Sequence, residues 1–259
     1  MRIATYNIWN EDSNFEIRAP QLIDEIQKVN ADIIGLQEVP PRFYTDCLLH
    51  QTGYPYHSFG QYSDEEEGLA ILSKYPIWDS RFLHEYEANR HSNAISVLLN
   101  VDGRHVSFTN VPLPWDSALQ KEYQICAIDR FLHGEMNRAG LLILAGDFNG
   151  GLGSSVHRYL VGDQSLNGDE ANPYWDELAT AYCALTGEPI KATLDVINNP
   201  RWKGHRSVYP PTVMDRLYVM EHKYDISLES HWIFGTEVSP ETQLSASDHY
   251  GVAAEIVFD

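Results

Sequence analysis

Leu141-Leu142-Ile143-Leu144-Ala145-Gly146-Asp147-Phe148-Asn149 decides how the rest of the chain reads. A short, unbroken apolar run fits a strand buried within a sheet, and this one ends on a carboxylate and an amide. An ionised group at the mouth of a buried strand is costly unless a cation or a hydrogen-bond partner is supplied. The arrangement recurs at Asn7, at Glu38 and at Asp248-His249. One such case is an accident of sequence; several in one chain point to a metal site.

With 259 residues, 43% of them hydrophobic, the chain is expected to form one domain over residues 1–259 with a substantial core. A formal net charge of -19 argues against an extended nonspecific grip on DNA, which needs Lys and Arg to neutralise phosphates. A short, metal-assisted contact stays open. The run Asp64-Glu65-Glu66-Glu67 reads as a solvated loop tip. Cys47, Cys126 and Cys183 are distant and odd in number, so neither a disulfide framework nor a zinc cluster is indicated, and a reducing compartment fits. The opening residues lack a leader pattern, and no apolar run is long enough to cross a bilayer. A cytoplasmic, monomeric protein without a membrane span is the expectation.

Strands are predicted over Ile3 to Ile8 and Asp32 to Val39, with a helix from Phe15 to Asn30 between them whose Ala19, Leu22, Ile23, Ile26 and Val29 share a face. Asn93 to Val101, Asp102-Gly103 and Arg104 to Val111 read as a hairpin with a two-residue turn. A second helix, capped by Asp116 or Ser117, runs to Arg138 before Gly140, and a third opens at Asn172-Pro173 and closes near Gly187. Val213 to Met220, Tyr224 to Trp232 and His249 to Val257 read as strands, and Pro200 to Pro211 as a long loop. Mixed strands and helices with antiparallel hairpins give an α+β class.

Asn7, Glu38, Asp147, Asn149 and Asp248 offer oxygen donors, which suit a hard, partly hydrated divalent cation, magnesium or manganese. Such an ion polarises a phosphoryl oxygen and lowers the pKa of water, so phosphoester hydrolysis follows. His249 is a candidate general base, with Asp215 the acid that holds its tautomer. Singly each is weak, since a histidine at a strand start is more often a packing or surface residue and a Gly-Asp pair is most often a turn.

Thr5-Tyr6-Asn7-Ile8-Trp9, Leu36-Gln37-Glu38-Val39, Gly68 to Ile77, Gly146-Asp147-Phe148-Asn149, Met214-Asp215-Arg216-Leu217-Tyr218-Val219 and Ser247-Asp248-His249 together resemble, in order, the motifs of the endonuclease/exonuclease/phosphatase superfamily. The resemblance implies a four-layer αββα sandwich, two central mixed β-sheets flanked by helices, with the site at one sheet edge. It implies that Glu38 is the principal metal ligand, helped by Asn7 and Asp248. Asp147 and Asn149 would position water and the scissile phosphate, and His249, steered by Asp215, would take the proton from that water.

One motif departs from the pattern. Members similar to deoxyribonuclease I carry Thr-His-Leu before the central helix, and here Pro112 falls where that histidine would stand. Proline has no donor. Three readings compete: a metal alone stabilises a good leaving group; His91, Asn93 or Lys74 substitutes; or catalysis is weakened. Trp115, and Trp202 in the basic stretch Arg201 to Arg206, are candidate substrate contacts, with an ordinary packed loop as the alternative. The expected activity is that of a nuclease-type phosphodiesterase acting on a nucleic-acid end, a nucleotide or a lipid-derived phosphodiester. The alternatives are a phosphomonoesterase of inositol-phosphate or nucleotide type and a phosphate-ligand binding protein.

Overall fold

Two strand-helix-strand units of the same design hold the centre of the molecule. The computed structural model describes residues 1–11, 15–62, 66–83, 94–168, 175–204 and 208–258. Among these are twelve strands: β1 (Arg2–Asn7), β2 (Ile33–Val39), β3 (Tyr56–Gln61), β4 (Gly68–Ser73), β5 (Ile77–Leu83), β6 (Ala94–Val101), β7 (Arg104–Pro112), β8 (Leu141–Asp147), β9 (Asp176–Glu177), β10 (Asp215–Glu221), β11 (Ile226–Phe234) and β12 (Gly251–Phe258). The principal helices are α1 (Phe15–Val29), α2 (Ala118–Glu135), α3 (Ser155–Leu160) and α4 (Leu178–Thr186).

The strands form two six-stranded sheets, ordered β11-β12-β1-β2-β4-β3 and β5-β6-β7-β8-β10-β9. In the first, β1 and β2 are parallel, joined through α1; in the second, β7 and β8 are parallel, joined through α2. The outer neighbours of each pair are antiparallel. The architecture is an α+β sandwich with two mixed sheets.

Alternation along strands buried on both faces sorts their side chains between two cores. Ile3, Ile33, Leu141, Ile143, Leu217 and Val219 belong to the core between the sheets. Ala4, Tyr6, Ile34 and Leu36 turn the other way and cluster with Leu22, Ile23 and Ile26 of α1. Leu142, Leu144 and Tyr218 do the same with Ile125, Ile128 and Leu132 of α2. The continuous run at 141–145 is therefore apolar because neither face of β8 meets water.

Local boundaries follow cap chemistry. The Ser117 side chain, not that of Asp116, accepts the Gln120 N–H at 3.2 Å and starts α2, which ends at Glu135 rather than Arg138. The third predicted helix begins at Leu178, where the Glu177 carboxylate accepts from the Ala179 and Thr180 N–H groups, and closes at Gly187 with φ of 79°. Its predicted opening at Asn172-Pro173 lies outside the described residues. Asp102 and Gly103, with φ of 52° and 88°, make the predicted hairpin turn between β6 and β7.

A buried amide ties the sheets together beneath one edge. Asn110 of β7 donates from Nδ2 to the carbonyls of Leu36 (2.9 Å) and Ala70 (3.0 Å) in the opposite sheet, and its Oδ1 accepts from Gln37. Gly35 makes room for it, since a Cβ there would lie 2.9 Å from the Asn110 side chain. The parallel strands β1, β2, β7 and β8 all end at this edge, and the antiparallel β10 starts there, with Asp215 opposite Asp147.

Candidate active site

The first sheet contributes Asn7 and Glu38 from the ends of β1 and β2. Glu38 sits at a register shift between Leu36 and Val39 with φ of 55°, a left-handed conformation rare for a residue with a side chain. Asn7 Nδ2 donates to Glu38 Oε1 at 2.9 Å and to Asp147 Oδ2 at 3.1 Å, so one amide spans both sheets. The second Glu38 oxygen accepts the Asn10 N–H at 3.0 Å, and Asn7 Oδ1 accepts that of Trp9 at 2.9 Å.

The second sheet contributes Asp147 and Asn149. Gly146 precedes them because β7 passes so close that a Cβ would fall 1.9 Å from the Val111 carbonyl oxygen. Asn149 adopts φ of 45°, which asparagine tolerates, and its backbone N–H donates to Asp147 Oδ1 at 2.8 Å. Its amide donates to Leu113 O at 2.9 Å and to Asp147 Oδ2 at 3.2 Å. Lys121 of α2 donates to Asn149 O at 2.6 Å and pins this turn.

His249 closes the group. Its Nδ1 lies 2.8 Å from Asp215 Oδ2, and both side chains are buried. Asp215 is seated by Thr193, whose hydroxyl accepts the Met214 and Asp215 N–H groups at 2.9 and 3.0 Å. Ser247 donates to Asn7 O at 2.8 Å and accepts from the His249 N–H at 3.2 Å, joining this loop to β1.

Further groups hold the Asp248 backbone. Asn199 Nδ2 and Trp202 Nε1 both donate to Asp248 O, at 3.1 and 3.2 Å. Arg201 donates to Ser245 O at 2.7 Å, and its guanidinium stands 5.0 Å from the Trp9 ring centre. Buried Arg18 lies 4.9 Å from the same ring and donates to the carbonyls of Ile8, Trp9, Glu11 and Ala246. Trp202, a candidate substrate contact from sequence, is thus placed against the Asp248 backbone. Thr193, Asn199 and Arg18 escaped the sequence reading because a buried polar side chain in a loop or helix carries no periodic signal.

The electrostatics favour a cation. Burial, then the neighbouring Asp215, pushes Asp147 up to about 7, and burial chiefly pushes Asp248 up to about 6. Burial also opposes charge on His249, but Asp215 and then Asp147 outweigh it and raise the imidazole well above its ordinary range. Asp215 Oδ1 is buried without a hydrogen-bond partner. Ligand atoms of Asp147, Asp215 and His249 lie within 4.8 Å of one another, with Glu38 tied to Asp147 through Asn7. A surplus of buried oxygen acceptors is the donor set a hard divalent ion fits.

The sequence profile described as the endonuclease/exonuclease/phosphatase family matches residues 4–249. The chain belongs to that family. No curated protein sequence matches it. Among solved structures, TDP2 from D. rerio complexed with single strand DNA product is similar at a TM-score of 0.79 and 16% identity, covering 99% of this chain and 98% of that one. A functionally unknown conserved protein from Enterococcus faecalis gives 0.76 and 20%, covering 100% of both chains. The human Nocturnin catalytic domain with bound sulfate anion gives 0.70 and 18%, covering 100% of this chain and 93% of that one. At these identities the likeness is one of fold.

In this endonuclease/exonuclease/phosphatase chain, the acidic group opens into a cleft of about 240 Å³ lined by Asn7, Glu38, Tyr62, Glu67, Asp147 and Asn149 on one side and by Pro112 to Trp115 on the other. Trp115, also a candidate contact, is 74% exposed at its rim. His91 and Asn93 lie outside the described residues, as do Asp64 and Glu65 of the acidic run. Lys74 is not at the cleft; it pairs with Asp32 at 3.1 Å. A larger groove of about 740 Å³, lined by Phe15, Pro40, Pro41 and Phe43, shares none of the cleft's residues. Among the described residues, no helix is long and apolar enough to cross a membrane.

Proposed function

We propose that the protein is a divalent-metal-dependent phosphodiesterase that hydrolyses its substrate with a water activated by His249 and Asp215. The observation that carries this reading is the meeting, at one sheet edge, of the Glu38-Asn7-Asp147 hydrogen-bonded set with the buried His249-Asp215 pair. Glu38, Asn7 and Asp248 would hold magnesium or manganese. When bound, the ion neutralises the carboxylates and polarises a phosphoryl oxygen.

The chain's own residues account for the rest. The Asp215 carboxylate accepts Nδ1–H of His249 and so leaves Nε2 to take the proton of the attacking water. Asn149, whose amide N–H groups go to Leu113 O and Asp147 Oδ2, would exchange one of these bonds for a phosphate oxygen when substrate binds. Asp147 orients the water. A nucleic-acid end, as in the single strand DNA product held by D. rerio TDP2, is one substrate that fits, along with a nucleotide or a lipid-derived diester. The net charge of -19 restricts any nucleic-acid contact to a short one. Cytoplasmic location, the monomeric state and a single domain over 1–259 are part of the same reading.

Release of p-nitrophenolate from bis-p-nitrophenyl phosphate with magnesium, by the wild type and by Glu38→Ala, tests this. The wild type is expected to turn over and the variant to lose the metal-dependent rate; equal rates would overturn the reading. Pro112 favours a second reading, a phosphate-ligand binding protein, which predicts tight retention of a phosphodiester with no product.

A further inference from the structure

Trp9, two residues past the end of β1, holds a backbone conformation that is unfavourable for it. Its φ is 58°, the left-handed region that a bulky residue rarely enters. Such a conformation persists only where the surroundings over-determine it. Both polar groups of the Trp9 backbone are engaged. The N–H donates to Asn7 Oδ1 at 2.9 Å, and the carbonyl accepts from Arg18 at 2.7 Å and from the Glu11 N–H at 2.9 Å. Because Asn7 Oδ1 faces that N–H, Asn7 Nδ2 is turned toward Glu38 and Asp147.

The ring of Trp9 is held as firmly as its backbone. The guanidinium carbons of Arg18 and Arg201 lie 4.9 and 5.0 Å from the indole centre, close enough to be attracted by its negative face. Two like charges at one ring repel, and burial followed by Arg201 pushes Arg18 down to about 10. The shared indole offsets part of that repulsion. Each guanidinium also bonds the loop ahead of β12, Arg18 through Ala246 O at 2.9 Å and Arg201 through Ser245 O at 2.7 Å. Trp9 therefore joins the segment that carries Asn7, and Asn10 bonded to Glu38, to the loop that carries Asp248 and His249. Trp9 does not line the cleft itself.

We propose that Trp9 is a positioning residue: its indole, held by Arg18 and Arg201, fixes the left-handed turn whose N–H sets the Asn7 amide against Glu38 and Asp147. The proposal rests on the metal-dependent phosphodiesterase reading above. Without the ring, the backbone at position 9 relaxes, the Asn7 amide is released, and Glu38 loses the bond that orients Oε1. The effect reaches the carboxylates through Asn7, with no contact between Trp9 and the reacting atoms.

Three substitutions separate positioning from packing. Trp9→Ala removes the ring and leaves a Cβ in the left-handed region, Trp9→Gly removes ring and strain together, and Trp9→Phe keeps an aromatic face. Thermal melts in chelator rank their stability, and the rise of Tm with added magnesium gives an apparent dissociation constant without any turnover. Trp9→Gly is expected to be more stable than Trp9→Ala, yet both are expected to weaken magnesium binding by about 10–100-fold, the usual effect of losing a group that orients a ligand. Trp9→Phe is expected to keep most of the wild-type affinity. With bis-p-nitrophenyl phosphate and saturating magnesium, Trp9→Gly is expected to lower kcat about 10²-fold, as a displacement of about 1 Å does, with KM little changed. Magnesium binding that recovers in Trp9→Gly along with stability would overturn the proposal, and so would wild-type affinity in both ring-deleted variants. Should these not fold, Arg201→Met decides: it is expected to weaken magnesium binding about tenfold, and unchanged binding would overturn the proposal. A wild-type Tm indifferent to magnesium and manganese would instead refute the metal-dependent reading.

Discussion

His249 Nδ1 and Asp215 Oδ2 are 2.8 Å apart, and Asp215 is in turn held by backbone bonds to Thr193. The carboxylate therefore arrives at the imidazole from a fixed direction, and the ring has one productive tautomer. Asp215→Asn keeps the shape and reverses that preference. It should lower kcat by about 10²–10⁴-fold, the usual weight of a positioned base, with KM little changed. Steady-state kinetics checks this, and an unaltered kcat would remove His249 from the proton-accepting role.

Metal binding should register as stability. A cation that binds only the folded protein adds about 2.7 kcal/mol at about one hundred times its dissociation constant. Thermal melts with increasing magnesium or manganese should rise for the wild type and stay flat for Glu38→Ala. A rise of equal size in both would place the ion elsewhere.

Without metal, the protein should lose stability as pH climbs from about 6.5 to 8. Asp147, at about 7 when folded, binds its proton more tightly folded than unfolded, so its contribution is present at low pH and is lost as pH rises through 7. His249, also raised, acts in the same direction. His157 and His231, both pushed down to about 4, chiefly by burial, cost stability only on acidification below about 6.5. The Asp147 share over this window is about 1 kcal/mol, or about 2–4 °C in Tm for a chain of this size. Melts in chelator should show the decline, and Asp147→Asn should make it shallower, leaving the His249 share.

Asn110→Leu should destabilise the protein by about 2–4 kcal/mol, because it strands the carbonyls of Leu36 and Ala70 and one donor of Gln37 in the interior. Each costs about 1–3 kcal/mol before relaxation. Urea denaturation measures this; a loss under about 1 kcal/mol would mean the sheets are held by apolar packing alone.

The apolar strands and α1 were legible because burial on both faces writes itself as Ile-Leu-Val runs, and an amphipathic helix as a repeat of apolar positions. Asn7, Glu38, Asp147, Asn149, Asp215, Asp248 and His249 were legible because each interrupts or bounds such a run. What stayed hidden was support. Arg18, between Ile17 and Ala19, and Asn199, between Asn198 and Pro200, stand in no pattern that marks them, and only the fold shows that they face buried carbonyls. The start of α4 at Leu178, directly after the strand residues Asp176 and Glu177, was not legible, because Glu177 is an uncommon cap recognisable only by its bonds to Ala179 and Thr180.

β12 runs between β1 and β11, with Arg2 opposite Glu255 and the Met1 amine donating to Ile256 O. Ser247, just ahead of that strand, bonds to Asn7 across 240 residues of sequence. During synthesis, Asn7 and Glu38 leave the ribosome long before His249, and all six strands of the second sheet emerge in between. Such distant pairing is slow to form. On the proposed mechanism, a nascent chain already carrying Glu38 and Asp147 would still be without its base, and hydrolytic competence would arrive only when the far strand docks.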